Sequence, residues 1–111
     1  MKKLVIATFN IDKNHGNFPN RVYSLSNIIS KYKFDIICLQ DDFDSKSFSS
    51  SKFINLELDY NYSTTKVNQL DEKDEICSSN LTILSKYCKK RSHLNTDYRN
   101  TWTVFTLLFE H

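Results

Sequence analysis

Two short apolar runs separated by one amphipathic stretch, all within the first forty residues, constrain the fold most strongly. Lys3 to Asn10 is rich in β-branched and aromatic residues and predicts a buried strand. Asn20 to Lys33 predicts a helix, and its apolar residues recur at helical spacing: Val22, Leu25, Ile28, Ile29 and Tyr32. Asp35 to Leu39 predicts a second strand. This order predicts two parallel strands joined by a crossover helix.

The rest of the chain predicts loops and further strands. The polar segment Asp41 to Lys52 predicts a loop or a short irregular helix, and Gln69 to Glu75 predicts an acidic loop. The segments with strand-like composition are Phe53 to Leu58, Tyr60 to Val67, Asn80 to Leu84, Lys89 to Leu94 and Thr101 to Phe109. The predicted fold class is therefore α/β (α+β), with room in 111 residues for one domain spanning residues 1–111.

Composition excludes several classes of protein and site. With 40% apolar and 25% charged residues the chain has the composition of a folded globular protein. A net charge of +2 is too small to imply a nucleic-acid or membrane partner by bulk electrostatics. The three cysteines lack a C-x-x-C spacing, which argues against a disulfide framework or a zinc site. A single glycine excludes glycine-rich phosphate loops.

The opening residues favour a cytoplasmic location. Met1 to Ala7 places a basic pair before an apolar run, but the run is shorter than the ~7–15 apolar residues of a secretory signal. No stretch of the sequence approaches the ~20 apolar residues that a membrane-spanning helix needs. We therefore expect a cytoplasmic protein without a membrane span.

Three segments, in order, resemble the endonuclease/exonuclease/phosphatase family of deoxyribonuclease-I-like phosphoesterases. Ile6 to Ile11 is similar to the opening strand of that family, which ends in an aromatic-Asn-Ile step. Phe34 to Asp41 resembles its Pro-Asp-Ile-Ile-x-Leu-Gln-Glu strand, and Asn80 to Tyr87 resembles its Gly-x-Ala-Ile-Leu-Ser-Lys strand. Trp102 to His111 resembles the strand that precedes the catalytic His segment of the family. The likeness covers nearly all of the chain.

This resemblance implies a function, a metal and a fold. It implies hydrolysis of a phosphodiester or phosphomonoester by metal-activated water, with Mg²⁺ as the cofactor. It assigns Asn10 and Asp41 as metal ligands, with Asn10 also able to contact phosphate. The implied fold is half of a four-layer, two-sheet α/β sandwich, with residues 1–111 as the N-terminal part of the domain. DNA, phospholipid and phosphoinositide all remain open as substrates.

The chain also departs from the family pattern. Asp41 stands where the family has Glu, so its carboxylate is one methylene shorter. The later family segments, which carry a catalytic His, an Asp-x-Asn pair and a terminal Asp-His pair, have no counterpart here. The three histidines, His15, His93 and His111, occupy no matching motif. We therefore expect a truncated domain that is inactive alone and that a second chain could complete.

Each candidate residue also has a structural interpretation. Asn10 suits a strand-terminating residue that bonds the following loop, and Asp41 suits a solvated loop acid. Asp42 is expected on the opposite face from Asp41 and is thus a poor substitute ligand. Tyr60 and Tyr62 are expected to pack rather than to serve a site. A basic cluster that suits either a phosphate contact or a solvated face comprises Lys86, Lys89, Lys90 and Arg91.

A second function class fits the same sequence. The strand Thr101 to Phe109 is the longest apolar β-type run. If no neighbour covers its far edge, it invites pairing with another chain or self-association. The alternative to an enzyme is therefore a non-catalytic interaction module that pairs through this strand.

Overall fold

The computed structural model describes residues 3–72, 75–87, 89–97 and 102–109, with side chains for 3–69 and 76–87. The elements in chain order are β1 Ile6–Asn10, α1 Phe18–Tyr32, β2 Ile36–Ser45, α2 Ser50–Leu58, β3 Asn61–Glu72, β4 Glu75–Ser85, β5 Lys89–Asp97 and β6 Trp102–Phe109. Among the described residues, neither helix has the length and apolar character needed to cross a membrane.

The first four strands form one mixed sheet in the order β1-β2-β4-β3. β1 and β2 are parallel neighbours, so the predicted crossover through α1 is confirmed. β4 runs antiparallel to both β2 and β3. β5 and β6 form a separate antiparallel pair. The α/β class is thus confirmed, whereas the four-layer arrangement stays a prediction.

The hydrophobic core lies between the two helices and one face of the mixed sheet. The sheet contributes Ile37, Leu39 and Leu84, each no more than 1% exposed. The helices and the loop after β1 contribute the remaining fully buried members: Ile11, Val22, Ile29 and Ile54. Each such side chain stabilises the fold by about 1.5–3 kcal/mol through burial. This core fixes which face of each strand is turned toward the helices.

Helix α1 occupies Phe18–Tyr32, close to its predicted position, and ends at Lys33 in the left-handed conformation. Its buried stripe is narrower than predicted and consists of Val22, Ser26 and Ile29. Ile28 and Tyr32, which we expected in the stripe, are 47% and 60% exposed. The apolar spacing therefore located the helix but overestimated the width of its buried face.

The prediction that the first strand is buried was wrong. β1 lies at the edge of the sheet with β2 as its single neighbour within the mixed sheet. Ile6 is 61% exposed, and Leu4 and Val5 just before the strand are also exposed. Its composition is that of a buried strand, but only alternate residues such as Phe9 contact the core.

The segment predicted as a polar loop, Asp41 to Lys52, instead extends β2 to Ser45 and begins α2 at Ser50. Phe53 to Leu58, predicted to have strand character, belongs to α2. The Ser49 side chain caps this helix by accepting a hydrogen bond from the Lys52 N–H at 3.4 Å. Burial of Ile54 against the sheet stabilises the helix despite its β-branched and aromatic residues.

The remaining strands were predicted in the right places, but most were predicted too short. β3 continues to Glu72, and β4 begins at Glu75. Most of the predicted acidic loop, Gln69 to Glu75, is therefore paired strand. β5 extends to Asp97, three residues beyond its predicted end. β6, Trp102–Phe109, matches the predicted strand within one residue.

Candidate functional site

The carboxyl end of β1 meets a β-bulge in β2. Asn10 ends β1 and lies in register with Gln40. On the other side of β2, Leu39 pairs with Thr82 and Asp42 pairs with Asn80. Two residues of β2, Gln40 and Asp41, therefore lie opposite one residue of β4, which is a β-bulge. Asp41, predicted at the end of the second strand, is instead the bulged residue inside a longer strand, with a left-handed φ of 49°.

Hydrogen bonds show which face of the sheet each side chain occupies. Gln40 Nε2 donates to Thr8 Oγ1 at 2.7 Å, and Thr8 lies on the same face of β1 as Asn10. Ser79 Oγ donates to Asp41 Oδ1 at 3.3 Å. Both contacts lie on the face turned away from the helices. Asn10 and Asp41 therefore occupy the same face of two neighbouring strands.

Asn10 makes the local contact expected of a strand-terminating residue. Its Oδ1 accepts a hydrogen bond from the Asp12 N–H at 2.8 Å, two residues along the chain. The loop that follows is bonded to β2, because the Lys13 N–H donates to the Asp41 carbonyl at 2.9 Å. This backbone link keeps the Asn10 turn beside the bulge.

Arg21 of α1 fixes the loop after Asn10. Its Nη1 donates to the Ile11 carbonyl at 2.7 Å, and its Nε and Nη2 both donate to the His15 carbonyl. Within this loop Asp12 and Lys13 have positive φ angles of 57° and 54°, a conformation that is costly for residues with a Cβ. The guanidinium fork compensates by satisfying two carbonyl groups at once.

The structure brings together one pair that the sequence analysis missed. His15 Nδ1 lies 3.2 Å from Asp12 Oδ1, and the two side chains are 61% and 63% exposed. An i, i+3 spacing in a loop does not predict a contact by itself, because the backbone path decides it. The one indication of this contact in the sequence is Gly16, because glycine favours a turn; its φ of 62° helps to bring His15 back toward Asp12.

Asp42 lies on the opposite face from Asp41, as expected, and the bulge places its buried side chain on the helix side of the sheet. Its Oδ1 accepts from the Ser51 N–H at 3.0 Å, and its Oδ2 accepts from Thr82 Oγ1 at 2.6 Å. Burial raises the pKa of the Asp42 carboxyl, and these hydrogen bonds oppose that shift. Asp42 is therefore held inside the protein and is unsuited to bind a solvent-exposed ligand.

The other candidate residues have structural contacts. Tyr60 Oη donates to the Phe34 carbonyl at 2.6 Å, and Tyr62 Oη lies 3.0 Å from Ser51 Oγ. Lys86 forms an ion pair with Asp35 at 3.2 Å. The predicted basic cluster therefore has one member in a described ion pair. The side chains that fall outside the described residues are those of Lys89, Lys90, Arg91, His93 and His111.

The donor set at Asn10 and Asp41 fits a hard divalent cation. Both offer oxygen atoms, and Asn10 Oδ1 and Asp41 Oδ1 each accept a hydrogen bond, from the Asp12 N–H and from Ser79 Oγ. Mg²⁺ is commonly held by one or two protein oxygens together with several waters. Within the described part of the chain, no group of three or more His, Cys, Asp or Glu side chains is arranged to hold a metal. Asn10 and Asp41 stay the ligands that the resemblance predicts.

Neither a known family profile nor a curated protein sequence matches this chain. A solved structure with a similar fold is an endonuclease/exonuclease/phosphatase family protein from Leptotrichia buccalis C-1013-b, with a TM-score of 0.61 and 12% identity. The similarity covers 83% of this chain and 40% of that protein. The fold-level resemblance is thus confirmed, and the chain spans less than half of the similar protein.

Proposed function

We propose that this chain is the N-terminal portion of a Mg²⁺-dependent phosphoesterase of the cytoplasm and that it is inactive alone. The observation that carries the proposal is the placement of Asn10 and Asp41 on one face of parallel neighbouring strands. This placement occurs in a fold similar to that of an endonuclease/exonuclease/phosphatase family protein. Ligands of open α/β sheets bind at the carboxyl ends of parallel strands, and Asn10 stands at that end of β1, whereas the bulge brings Asp41 to the neighbouring position within β2.

The chain supplies two oxygen ligands and the contacts that orient them. Asn10 and Asp41 would hold the cation, which when bound neutralises charge on the phosphoryl and leaving-group oxygens. Ser79 donates to Asp41 Oδ1 and so orients the carboxylate. The turn from Asn10 to Asp12 orients the amide. These residues would thus bind the cation and orient its ligands. A general base and further metal ligands would come from a segment outside these 111 residues or from a second chain.

Magnesium titration of the wild-type chain tests this assignment, with Asp41→Glu and Asp41→Asn as variants. Asp41→Glu is expected to strengthen binding, because the longer carboxylate reaches further at unchanged charge. Asp41→Asn keeps a residue type that tolerates positive φ but removes the charge, so it is expected to weaken binding. Magnesium-induced shifts of the Asn10 and Asp41 amide resonances measure both effects.

Asn10→Ala is the control for the second ligand and should reduce the response at Asp41 as well as at position 10. If Asn10 and Asp41 bind the same cation, removal of one ligand must weaken the magnesium response at both positions. If no variant changes the titration, or if the wild-type amides do not respond at millimolar magnesium, the metal assignment is wrong.

A second candidate function is an interaction module that pairs through a strand edge. β6, Trp102–Phe109, has β5 as its one neighbour in a two-stranded sheet of the described residues. β1 offers a further edge with Ile6 61% exposed. Both features favour association with a second chain or a second copy.

Sedimentation over a wide concentration range is expected to show concentration-dependent association. A lysine in an edge strand opposes such pairing, so Val104→Lys and Ile6→Lys separate the two edges. Loss of association in Val104→Lys alone would assign the interface to β6. A monomer at every concentration would contradict the interaction module.

A further inference from the structure

The β-bulge at Gln40 and Asp41 needs a physical cause, because a regular β2 would turn Asp41 toward the helices. Alternation along β2 places Leu39 in the core, and without the bulge residue 41 would follow it to that face. The bulge instead leaves Asp41 on the face turned away from the helices, in a left-handed conformation that favours glycine or asparagine. Some contact must hold the strand in this irregular path.

The contacts of Asp42 provide that hold. Its side chain is 0% exposed and is bonded to two elements at once. Oδ1 accepts from the Ser51 N–H in the first turn of α2, and Oδ2 accepts from Thr82 of β4. Thr82 Oγ1 in turn lies 2.8 Å from Thr64 Oγ1 of β3. Asp42 is thereby fixed to α2 and β4 directly, and to β3 through Thr82.

We infer that Asp42 is a positioning residue, which holds the bulge that places Asp41 on the same face of the sheet as Asn10, turned away from the helices. The carboxylate locks residue 42 into the helix side of the sheet, so the extra residue of the bulge is accommodated at position 41. The consequence for metal binding rests on the proposed function. The consequence for the backbone of Asp41 does not, and it is measurable without a metal.

Asparagine at position 42 is expected to preserve this hold. Its Oδ1 still accepts from the Ser51 N–H, while its Nδ2 replaces the acceptor that faced Thr82. The hydroxyl chain can reverse, because Thr82 can donate to Thr64 and Thr64 Oγ1 lies 3.4 Å from the Leu81 carbonyl. Alanine at position 42 removes both contacts. The pair Asp42→Asn and Asp42→Ala therefore separates the anchoring contacts from the charge.

The experiment compares backbone resonances and magnesium titrations across the wild type, Asp42→Asn, Asp42→Ala and Thr82→Val. Cα and Cβ shifts of Gln40 and Asp41 report the left-handed bulge, and the amide shifts of Asn10 and Asp41 report magnesium. Ile29→Ala is the control, since it destabilises the core under α1 without touching the Asp42 contacts. Thr82→Val removes one contact and keeps the Ser51 contact, so it remains informative if Asp42→Ala does not fold.

We expect Asp42→Ala to lose the left-handed shifts at Asp41 and to weaken magnesium binding severalfold. Thr82→Val should also reduce the left-handed shifts and weaken magnesium binding. Asp42→Asn and Ile29→Ala should retain both signals. The positioning role is overturned if Asp41 keeps its left-handed shifts in both Asp42→Ala and Thr82→Val. If Asp42→Ala does not fold, left-handed shifts retained in Thr82→Val alone overturn it. If the wild type shows the bulge but no magnesium response, the metal assignment fails and the backbone comparison still decides the role of Asp42.

Discussion

Replacement of Asp42 by alanine is expected to lower the free energy of unfolding by about 1–3 kcal/mol, because a buried donor left without a partner carries its full desolvation cost. The Ser51 N–H loses its acceptor within the first turn of α2. Thr82 can redirect its hydroxyl to Thr64, so its share of the loss is smaller. Urea denaturation of the wild type and the variant measures the difference.

Asp42→Asn is expected to have a different effect that depends on pH. Burial raises the folded-state pKa of the Asp42 carboxyl above its ordinary value of 3.8. The folded chain therefore binds a proton more tightly than the unfolded chain. The resulting stabilisation is fully present below the unfolded pKa and is lost as pH rises through the folded pKa. At neutral pH the asparagine variant should match or exceed the stability of the wild type.

Urea denaturation of both proteins at a series of pH values checks this sign. The stability of the wild type relative to Asp42→Asn should increase as the pH is lowered toward 3.8. Asp59→Asn is a matched control, since Asp59 is an exposed acid at the end of α2 in a left-handed conformation that asparagine also tolerates. A relative stability that falls as the pH is lowered would show that the hydrogen bonds outweigh burial and that the folded pKa is depressed.

The 111-residue chain is expected to hydrolyse neither a phosphodiester nor a phosphomonoester above background with Mg²⁺ or Mn²⁺. Positioned acid–base groups typically contribute ~10²–10⁴-fold, and the segments that carry them in the resembled family are missing from this sequence. We do not expect the His15–Asp12 pair to replace them, because both side chains are largely exposed. Assays with chromogenic phosphate mono- and diesters at high enzyme concentration provide the measurement.

Two variants make this result interpretable. Turnover that disappears in Asn10→Ala would contradict the expected inactivity and would assign the reaction to the candidate site. Turnover that disappears in His15→Ala would show that the exposed loop pair acts as the base. Activity that survives both changes would point to a contaminating hydrolase.

The early part of the fold was predictable because its signals are local. The helical spacing of Val22, Leu25 and Ile29 located α1, and the apolar run before Gln40 located the start of β2. The parallel pairing followed from the helical crossover between them, since parallel neighbours need a long connection. The end of β1 at Asn10 was also predictable, since the polar loop follows at once.

The bulge and α2 were not predictable from local patterns. The Asp-Asp-Phe-Asp segment resembles a solvated loop, yet Asp42 is buried because its partner Thr82 lies 40 residues away in the sequence. The aromatic and β-branched residues at Phe53 to Ile54 suggested a strand, yet burial of Ile54 against the sheet favours a helix. In both cases tertiary contacts override local propensity.

The Arg21 fork has a consequence for the entropy of ligand binding. By bonding the Ile11 and His15 carbonyls, it makes the loop after Asn10 an extension of α1 rather than an independent segment. A ligand that binds Asn10 therefore meets a loop that is already ordered. Since immobilising backbone typically costs about 1–2 kcal/mol per residue, this preorganisation leaves more of the contact energy available for affinity.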